Sequence, residues 1–289
     1  MDYIIGYLNY KDDLNTNILK KAINKIFFKI SVNKIEDNKF QILINNYDIK
    51  EKQFIKIKKS MNDNNIDALA ISNKLAIEKS NFEEQNIKCL NGKILMKNLI
   101  GQILNYIYSY KNEDMILDEL HIAISNDKNK EIIMDLATKF KYINIVTDKI
   151  KKLKRLENRL ENNGEIIYTI SSNTKKSLKK AKIIVNFDYD EKFFDKFNLN
   201  RNAIIINLNN KKLKMKNSYQ GTIIENIMIN YDCNENSVLN FEGFDKNILY
   251  ESCTINMNYK EFKTNFINNK CEISYLIGNS GDILNNGEL

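Results

Sequence analysis

Proline and tryptophan are absent from this chain, histidine occurs once, and only nine of its 289 residues are glycine. With His121 as the lone imidazole, and Cys89, Cys233, Cys253 and Cys271 at spacings that never form C-x-x-C, a Cys/His zinc site is disfavoured. The cysteines read as reduced thiols. Arginine is nearly missing: Arg155, Arg159 and Arg201 stand beside 41 lysines. Together with the excess of Asn, Ile, Lys and Tyr, that skew fits an AT-rich genome and weakens any argument from lysine runs. No G-x-x-x-x-G-K-[ST] and no G-x-S-x-G occurs, which disfavours a P-loop nucleotidase and an α/β-hydrolase. No apolar run approaches the roughly 18 residues of a spanning helix, and the first residues lack the charged and apolar regions of a signal peptide. The expectation is a cytoplasmic protein that does not use a membrane.

What is present is a globular composition, 43% hydrophobic and 28% charged, in a chain long enough for one large or two ordinary domains. The net charge of +7 is unevenly placed. Residues 149 to 216 hold 18 Lys or Arg against 7 Asp or Glu, a balance of +11, so the remainder carries −4. A basic face of this kind attracts phosphate-bearing partners. The run Lys149 to Arg155, with Lys175, Lys176, Lys179, Lys180, Lys211 and Lys212, is nevertheless poor in arginine, and residues 149 to 167 contain no aromatic side chain for base stacking. Solvated helix faces are the better reading, and nucleic-acid binding the weakest of the functional ones.

Hydrophobic periodicity divides the chain into three. Residues 1–112 alternate strand and helix. Strands fall at Ile4 to Leu8, Phe28 to Val32, Phe40 to Ile44 and Ile66 to Ile71, with helical spacing from Leu14 to Phe27, from Ile49 to Met61 and along a long helix from Lys93 to Tyr110. Residues 113–216 keep a regular beat. Strands at Leu120 to Ser125, Ile143 to Thr147, Glu165 to Ser171, Ile183 to Phe187 and Ala203 to Leu208 are separated by helical stretches, including a short one at Lys175 to Ala181. Continuous β-branched strands between helices imply a parallel sheet covered on both faces. Residues 217–289 are looser. Thr222 to Tyr231 suits a helix or a strand, Leu249 to Met257 alternates like a strand, Tyr259 to Asn268 reads as a helix and Cys271 to Ile277 as a strand.

The segment Lys180 to Phe187 (KAKIIVNF) and the strand Asn202 to Leu208 (NAIIINL), following a long helix and the strand at Leu120, make the middle third resemble the NAD(P)-binding domain of glutamyl-tRNA reductases and shikimate dehydrogenases. The resemblance implies a doubly wound, Rossmann-like domain placed after an N-terminal α/β domain. It would also put a nucleotide-like ligand, NAD or NADP, at the first strand-to-helix turn. The residues there are Ser125, Asn126 and Asp127, and Thr147 and Asp148 follow the second strand. Asp148, about 20 residues past the turn, holds the place of the acid that binds an adenosine ribose. A helix N-cap explains the same residue without a ligand.

The turn itself departs from the pattern. A dinucleotide loop needs G-x-G-x-x-G so that backbone can approach the pyrophosphate. Ser125 to Lys130 reads SNDKNK, and no glycine lies between Gly101 and Gly164. Asp127 adds a carboxylate where phosphate charge would sit, a contact costing on the order of 1 to 4 kcal/mol at ~4 Å. Catalytic residues do not carry over either. Cys89 sits in NIKCL rather than the reductases' cysteine motif, and the dehydrogenases' lysine lies in a proline-containing loop. His121, alternating with Leu120 and Ile122, reads as a structural histidine.

The combined expectation is an α/β chain with three parts: an N-terminal α/β domain, a doubly wound parallel-sheet Rossmann-like domain and a small C-terminal α+β extension. A non-catalytic binding or regulatory module is the leading function. An NAD(P)-dependent oxidoreductase with an atypical phosphate loop is the alternative, so enzyme status stays open, as does a homodimer.

Overall fold

The computed structural model describes residues 2–10, 28–46, 48–111, 114–115, 118–232 and 241–284. The helix expected from Leu14 to Phe27 lies outside them. The strands are β1 (Ile5–Tyr10), β2 (Ile30–Glu36), β3 (Lys39–Ile44), β4 (Ala68–Ile71), β5 (Glu119–Ala123), β6 (Tyr142–Val146), β7 (Tyr168–Ser171), β8 (Ile183–Asn186), β9 (Ile204–Asn207), β10 (Ile223–Asn230) and β11 (Glu272–Gly278). The helices are α1 (Glu51–Asp63), α2 (Lys79–Glu84), α3 (Lys93–Asn98), α4 (Ile100–Lys111), α5 (Lys130–Ala137), α6 (Lys154–Asn162), α7 (Glu191–Phe194), α8 (Lys246–Thr254) and α9 (Tyr259–Asn268). None of these helices is long and apolar enough to cross a membrane.

The chain divides into two units, Met1–Gly92 with Cys233–Met257, and Lys93–Asp232 with Asn258–Leu289. The three consecutive segments expected from the sequence are therefore arranged differently. The segment after residue 216 is shared between the units, and the first crossing falls at Gly92 rather than after the long helix.

In the first unit a four-stranded sheet has the order β2-β3-β1-β4. Strands β3, β1 and β4 are parallel, and β2 pairs antiparallel with β3. Helix α1 turns Phe54, Ile57 and Met61 inward onto a core that includes Leu8, Ile42 and Leu69. A second core joins Ile5, Tyr7, Ala68, Ala70 and Leu90 to Phe244 and Leu249, which come from the far end of the chain. Leu249 lies on α8, where the alternating sequence suggests a strand. The helix forms because Asp245 caps it, accepting from the backbone N–H groups of Asn247 (2.8 Å) and Ile248 (3.3 Å). Burial then reaches Leu249, Tyr250, Ser252 and Thr254, positions that a strand would split between two faces.

In the second unit a seven-stranded sheet runs β11-β10-β9-β8-β5-β6-β7. Strands β5 to β10 are mutually parallel, and β11 closes one edge antiparallel to β10. Counting from β5, the parallel strands stand in the order 3-2-1-4-5-6, the doubly wound arrangement of dinucleotide-binding Rossmann domains. The expected Rossmann-like α/β class thus holds, with two strands more than the five read from the middle third. Every residue of β8 and β9 is buried, which explains their unbroken Ile/Val runs: both faces of the sheet are covered. The Thr222 to Tyr231 segment resolves as a strand, and Lys175 to Ala181 forms turns rather than a helix. The long helix is divided at Leu99, but its hydrogen bonds continue through that residue, from Leu99 N to Leu95 O and from Ile103 N to Leu99 O.

Candidate functional site

The strand order reverses between β5 and β8, and in open α/β sheets ligands bind beyond the carboxyl ends of the strands at that switch point. The register aligns Val146, Ala123, Asn186 and Asn207 in one row across β6, β5, β8 and β9. All of the residues expected to hold a nucleotide follow this row. Ser125, Asn126 and Asp127 lie in the loop from β5 to α5, and Thr147 and Asp148 lie just past β6.

The hydrogen-bond donors of the first loop are directed at a carboxylate of the same chain. Asp188, two residues beyond β8, accepts from the Ser125 backbone N–H (2.9 Å), the Ser125 hydroxyl (2.7 Å) and the Asn126 side-chain amide (2.7 Å). Asn126 Oδ1 in turn accepts from Lys128 N (3.0 Å), which fixes the loop's shape. The donors of this loop are therefore already taken by an anionic group of the chain itself, Asp188. Asp127, suspected of repelling phosphate, makes among the described residues a backbone contact alone, its carbonyl accepting from Lys130 N.

The next residue closes the second half of the crevice. The Tyr189 hydroxyl donates to Asp148 Oδ1 (2.6 Å), pairs with the Thr147 hydroxyl (3.0 Å) and accepts from Asp148 N (3.1 Å). Its ring stacks on Phe193 at 3.6 Å between centroids and 8° between planes. Burial, followed by the bond to Asp148, pushes this phenol well above its ordinary value, so it stays a neutral donor. Asp148 thus binds a hydroxyl, as the ribose reading requires, but the hydroxyl is a tyrosine's. The capping alternative is corrected as well. Lys149 N donates to Thr147 Oγ1 (3.0 Å), and among the described residues Asp148 makes no cap bond to the turn that follows.

A group that sequence reading missed lies further along the same edge. Lys93, at the start of α3, donates to Asn207 O (2.7 Å), Glu225 O (2.6 Å) and Glu225 Oε2 (2.9 Å). Both side chains of this ion pair are under 10% exposed. Burial pulls the Lys93 ammonium below its usual value while Glu225 works the other way. Asn207 Nδ2 donates to both Glu225 oxygens, and Asn186 Nδ2 donates to Asn207 Oδ1 (2.9 Å) and to Tyr189 O (2.8 Å). The network ends on Asp188's neighbour, so it braces the loop that carries Asp188. All three ammonium protons of Lys93 have acceptors, which makes it a structural cation rather than a base.

His121 is buried on β5, 3.5 Å from Glu119 through Nε2, with Nδ1 lacking a partner among the described residues. Among the described residues no group of three or more His, Cys, Asp or Glu is placed to hold a metal, and Cys89, Cys253 and Cys271 are free thiols. Burial pushes the Cys89 thiol up to about 12, away from nucleophilic use. Lys149, Lys151, Lys152, Lys154 and Arg155 are all exposed, as expected of a solvated face.

As a cradle for a dinucleotide the crevice fits poorly. Its loop carries side chains instead of glycines, its backbone donor is committed to Asp188, and a phosphate would meet that carboxylate. The signal for this arrangement stood in the sequence as Asp188-Tyr189-Asp190, polar residues placed directly after a buried strand.

No protein-family model and no curated protein matches the chain. Solved structures with some likeness do exist. Shikimate 5-dehydrogenase from Listeria monocytogenes, in complex with shikimate and NAD, is 13% identical at a TM-score of 0.29, over 71% of this chain and 77% of that one. Dipicolinate synthase, A chain, from Bacillus subtilis is 10% identical at 0.37, over 76% and 87%. 5-Ketofructose reductase of Gluconobacter sp. strain CHM43, in its ligand-free form, is 10% identical at 0.34, over 92% and 99%.

Proposed function

We propose that this chain is a Rossmann-like binding or regulatory module that does not use a dinucleotide for catalysis, because its own loop occupies the dinucleotide crevice. The observation that carries the reading is the pair Asp188 and Tyr189. The carboxylate takes the donors of the first loop, and the hydroxyl takes Asp148. Displacing them would leave charge-assisted hydrogen bonds unmade, each worth about 1.5–3 kcal/mol, before a ligand gained anything. Titration of NAD, NADH, NADP and NADPH against the thermal unfolding of the full chain tests this reading. The expected result is no saturable shift at millimolar ligand. Stabilisation growing with the logarithm of ligand concentration, as mass action requires of specific binding, would overturn it.

The second reading is an NAD(P)-dependent oxidoreductase with an atypical phosphate loop. It is favoured by the doubly wound strand order and by Asp148, which stands at the end of the second strand and does bind a hydroxyl. Under this reading the Asp188–Tyr189 loop must swing out when the cofactor enters, and dinucleotide stabilisation would be lost in Asp148→Ala.

A further inference from the structure

At the opposite, amino-terminal edge of the same sheet, the segments leading into β8, β9 and β10 enclose a cavity of about 440 Å³. Its lining includes the apolar side chains of Phe194, Phe197, Leu199 and Met215, beside Asn198, Ser218 and Tyr219. Its rim carries Lys179, Arg201 and the pair Lys216–Asp195, whose charges cancel at 3.1 Å. Lys179 and Arg201 have no side-chain hydrogen bond or ion pair among the described residues, so two positive charges stand beside these apolar side chains uncompensated. Arg201 is one of three arginines in a chain that otherwise uses lysine for its cations. An arginine offers a planar donor fork suited to carboxylate or phosphate oxygens, which lysine does not. The backbone that carries the two cations is also tied together. Asn200 N donates to Leu178 O (3.1 Å) and Asn200 Nδ2 to Ala181 O (2.9 Å), tying the residue before Arg201 to both sides of Lys179. Gln220 N closes onto Arg201 O at 2.8 Å. Backbone fixed in this way lowers the ordering cost of binding.

We propose that this cavity binds a small organic anion with an apolar body, its charged end on Arg201 and Lys179 and its body on the apolar side chains from Phe194 to Met215. The site is separated from the carboxyl-edge crevice by the length of the strands and does not depend on whether that crevice is filled.

The test uses the full chain with phenylacetate and phenyl phosphate as probes, and acetate, inorganic phosphate and 2-phenylethanol as controls, followed by calorimetric titration. At least one aromatic anion should bind saturably, at least tenfold more tightly than the small anions or the neutral alcohol. The preferred arm then identifies the charged end as carboxylate or phosphate. Arg201→Gln and Lys179→Gln, both exposed and outside the core, should each weaken binding at least threefold, and the double variant at least tenfold. Absence of saturable binding by both aromatic anions, equal binding of 2-phenylethanol, or binding unchanged in the double variant would each overturn the proposal. Asp188→Ala, which opens the other edge, should leave the affinity unchanged, and a loss there in place of Arg201→Gln would overturn it too.

Discussion

Asp188 decides what the switch point can do, because a carboxylate holding three donors is both a support and an obstacle. Asp188→Ala leaves the Ser125 N–H, the Ser125 hydroxyl and the Asn126 amide without their acceptor. Hydrogen bonds to charged groups contribute about 1.5–3 kcal/mol each, but part-buried donors regain water. The expected cost is therefore about 2–3 kcal/mol by urea unfolding. Sulfate at millimolar concentration should stabilise the variant more than the unsubstituted chain, since only in the variant are the donors of the first loop left for an anion. His121 makes a second residue-scale prediction, this time in pH. Burial lowers its folded pKa, while Glu119 and Asp118 only partly oppose it. The unfolded chain, with its imidazole near 6.5, takes up a proton before the folded one does. The histidine's contribution is thus fully present above about pH 6.5 and lost as pH falls below it. Unfolding in urea at pH 7 and pH 5 should show the unsubstituted chain losing on the order of 1 kcal/mol more than His121→Gln. Equal losses would mean that the imidazole is solvated.

Among the elements, α3 is tied to β9 and β10 by one cation. Lys93→Met removes the ammonium that pairs with Glu225 and leaves a buried carboxylate, at an expected cost of about 3–5 kcal/mol. Most of that cost is uncompensated charge. Lys93→Met with Glu225→Gln should therefore be more stable than Lys93→Met alone by about 1–3 kcal/mol, measured in chemical denaturation. Additivity of the two substitutions would deny the coupling. Neither Lys93 nor Glu225 advertises itself in sequence, because 132 positions separate them and lysine is everywhere. The parallel strands were legible for the opposite reason. Runs such as Ile183 to Asn186 and Ile204 to Asn207 are apolar on both faces, which only a covered sheet requires. Ser125, Asn126, Asp127, Thr147 and Asp148 could be placed beside the switch point from their spacing after β5 and β6. What fills the space between them could not, since Asp188 reaches them only through the β5–β8 pairing. The alternation from Leu249 to Met257 misleads because α8 buries polar residues, Ser252 and Thr254 among them, that a period of two assigns to an outer face.

At the scale of the whole molecule, the first unit is not continuous in sequence. Met1–Gly92 supplies the four-stranded sheet, but part of its core comes from Cys233–Met257. Phe244 and Leu249 pack on Ile5, Tyr7, Ala68, Ala70 and Leu90, and the Tyr7 hydroxyl pairs with Ser252 Oγ at 2.7 Å. Gly243 O accepts from Asn73 N (2.7 Å), and Glu251 Oε2 accepts from Gly92 N (2.8 Å). Burying a Leu or Phe side chain is worth about 1.5–3 kcal/mol. Phe244, Leu249 and the fully buried Tyr250 together thus contribute on the order of 5–9 kcal/mol, comparable with the 5–15 kcal/mol stability of an entire domain. A fragment ending at Gly92 should therefore fail to fold cooperatively, giving no sigmoidal urea transition and fast amide exchange in β1 and β4. The same fragment joined by a flexible Gly/Ser linker to residues 241–257 should regain both the transition and the exchange protection. Leu249→Asp in the joined fragment should abolish them again. A cooperative transition in the fragment that ends at Gly92 would show that the sheet carries its own core, and that α8 only decorates it.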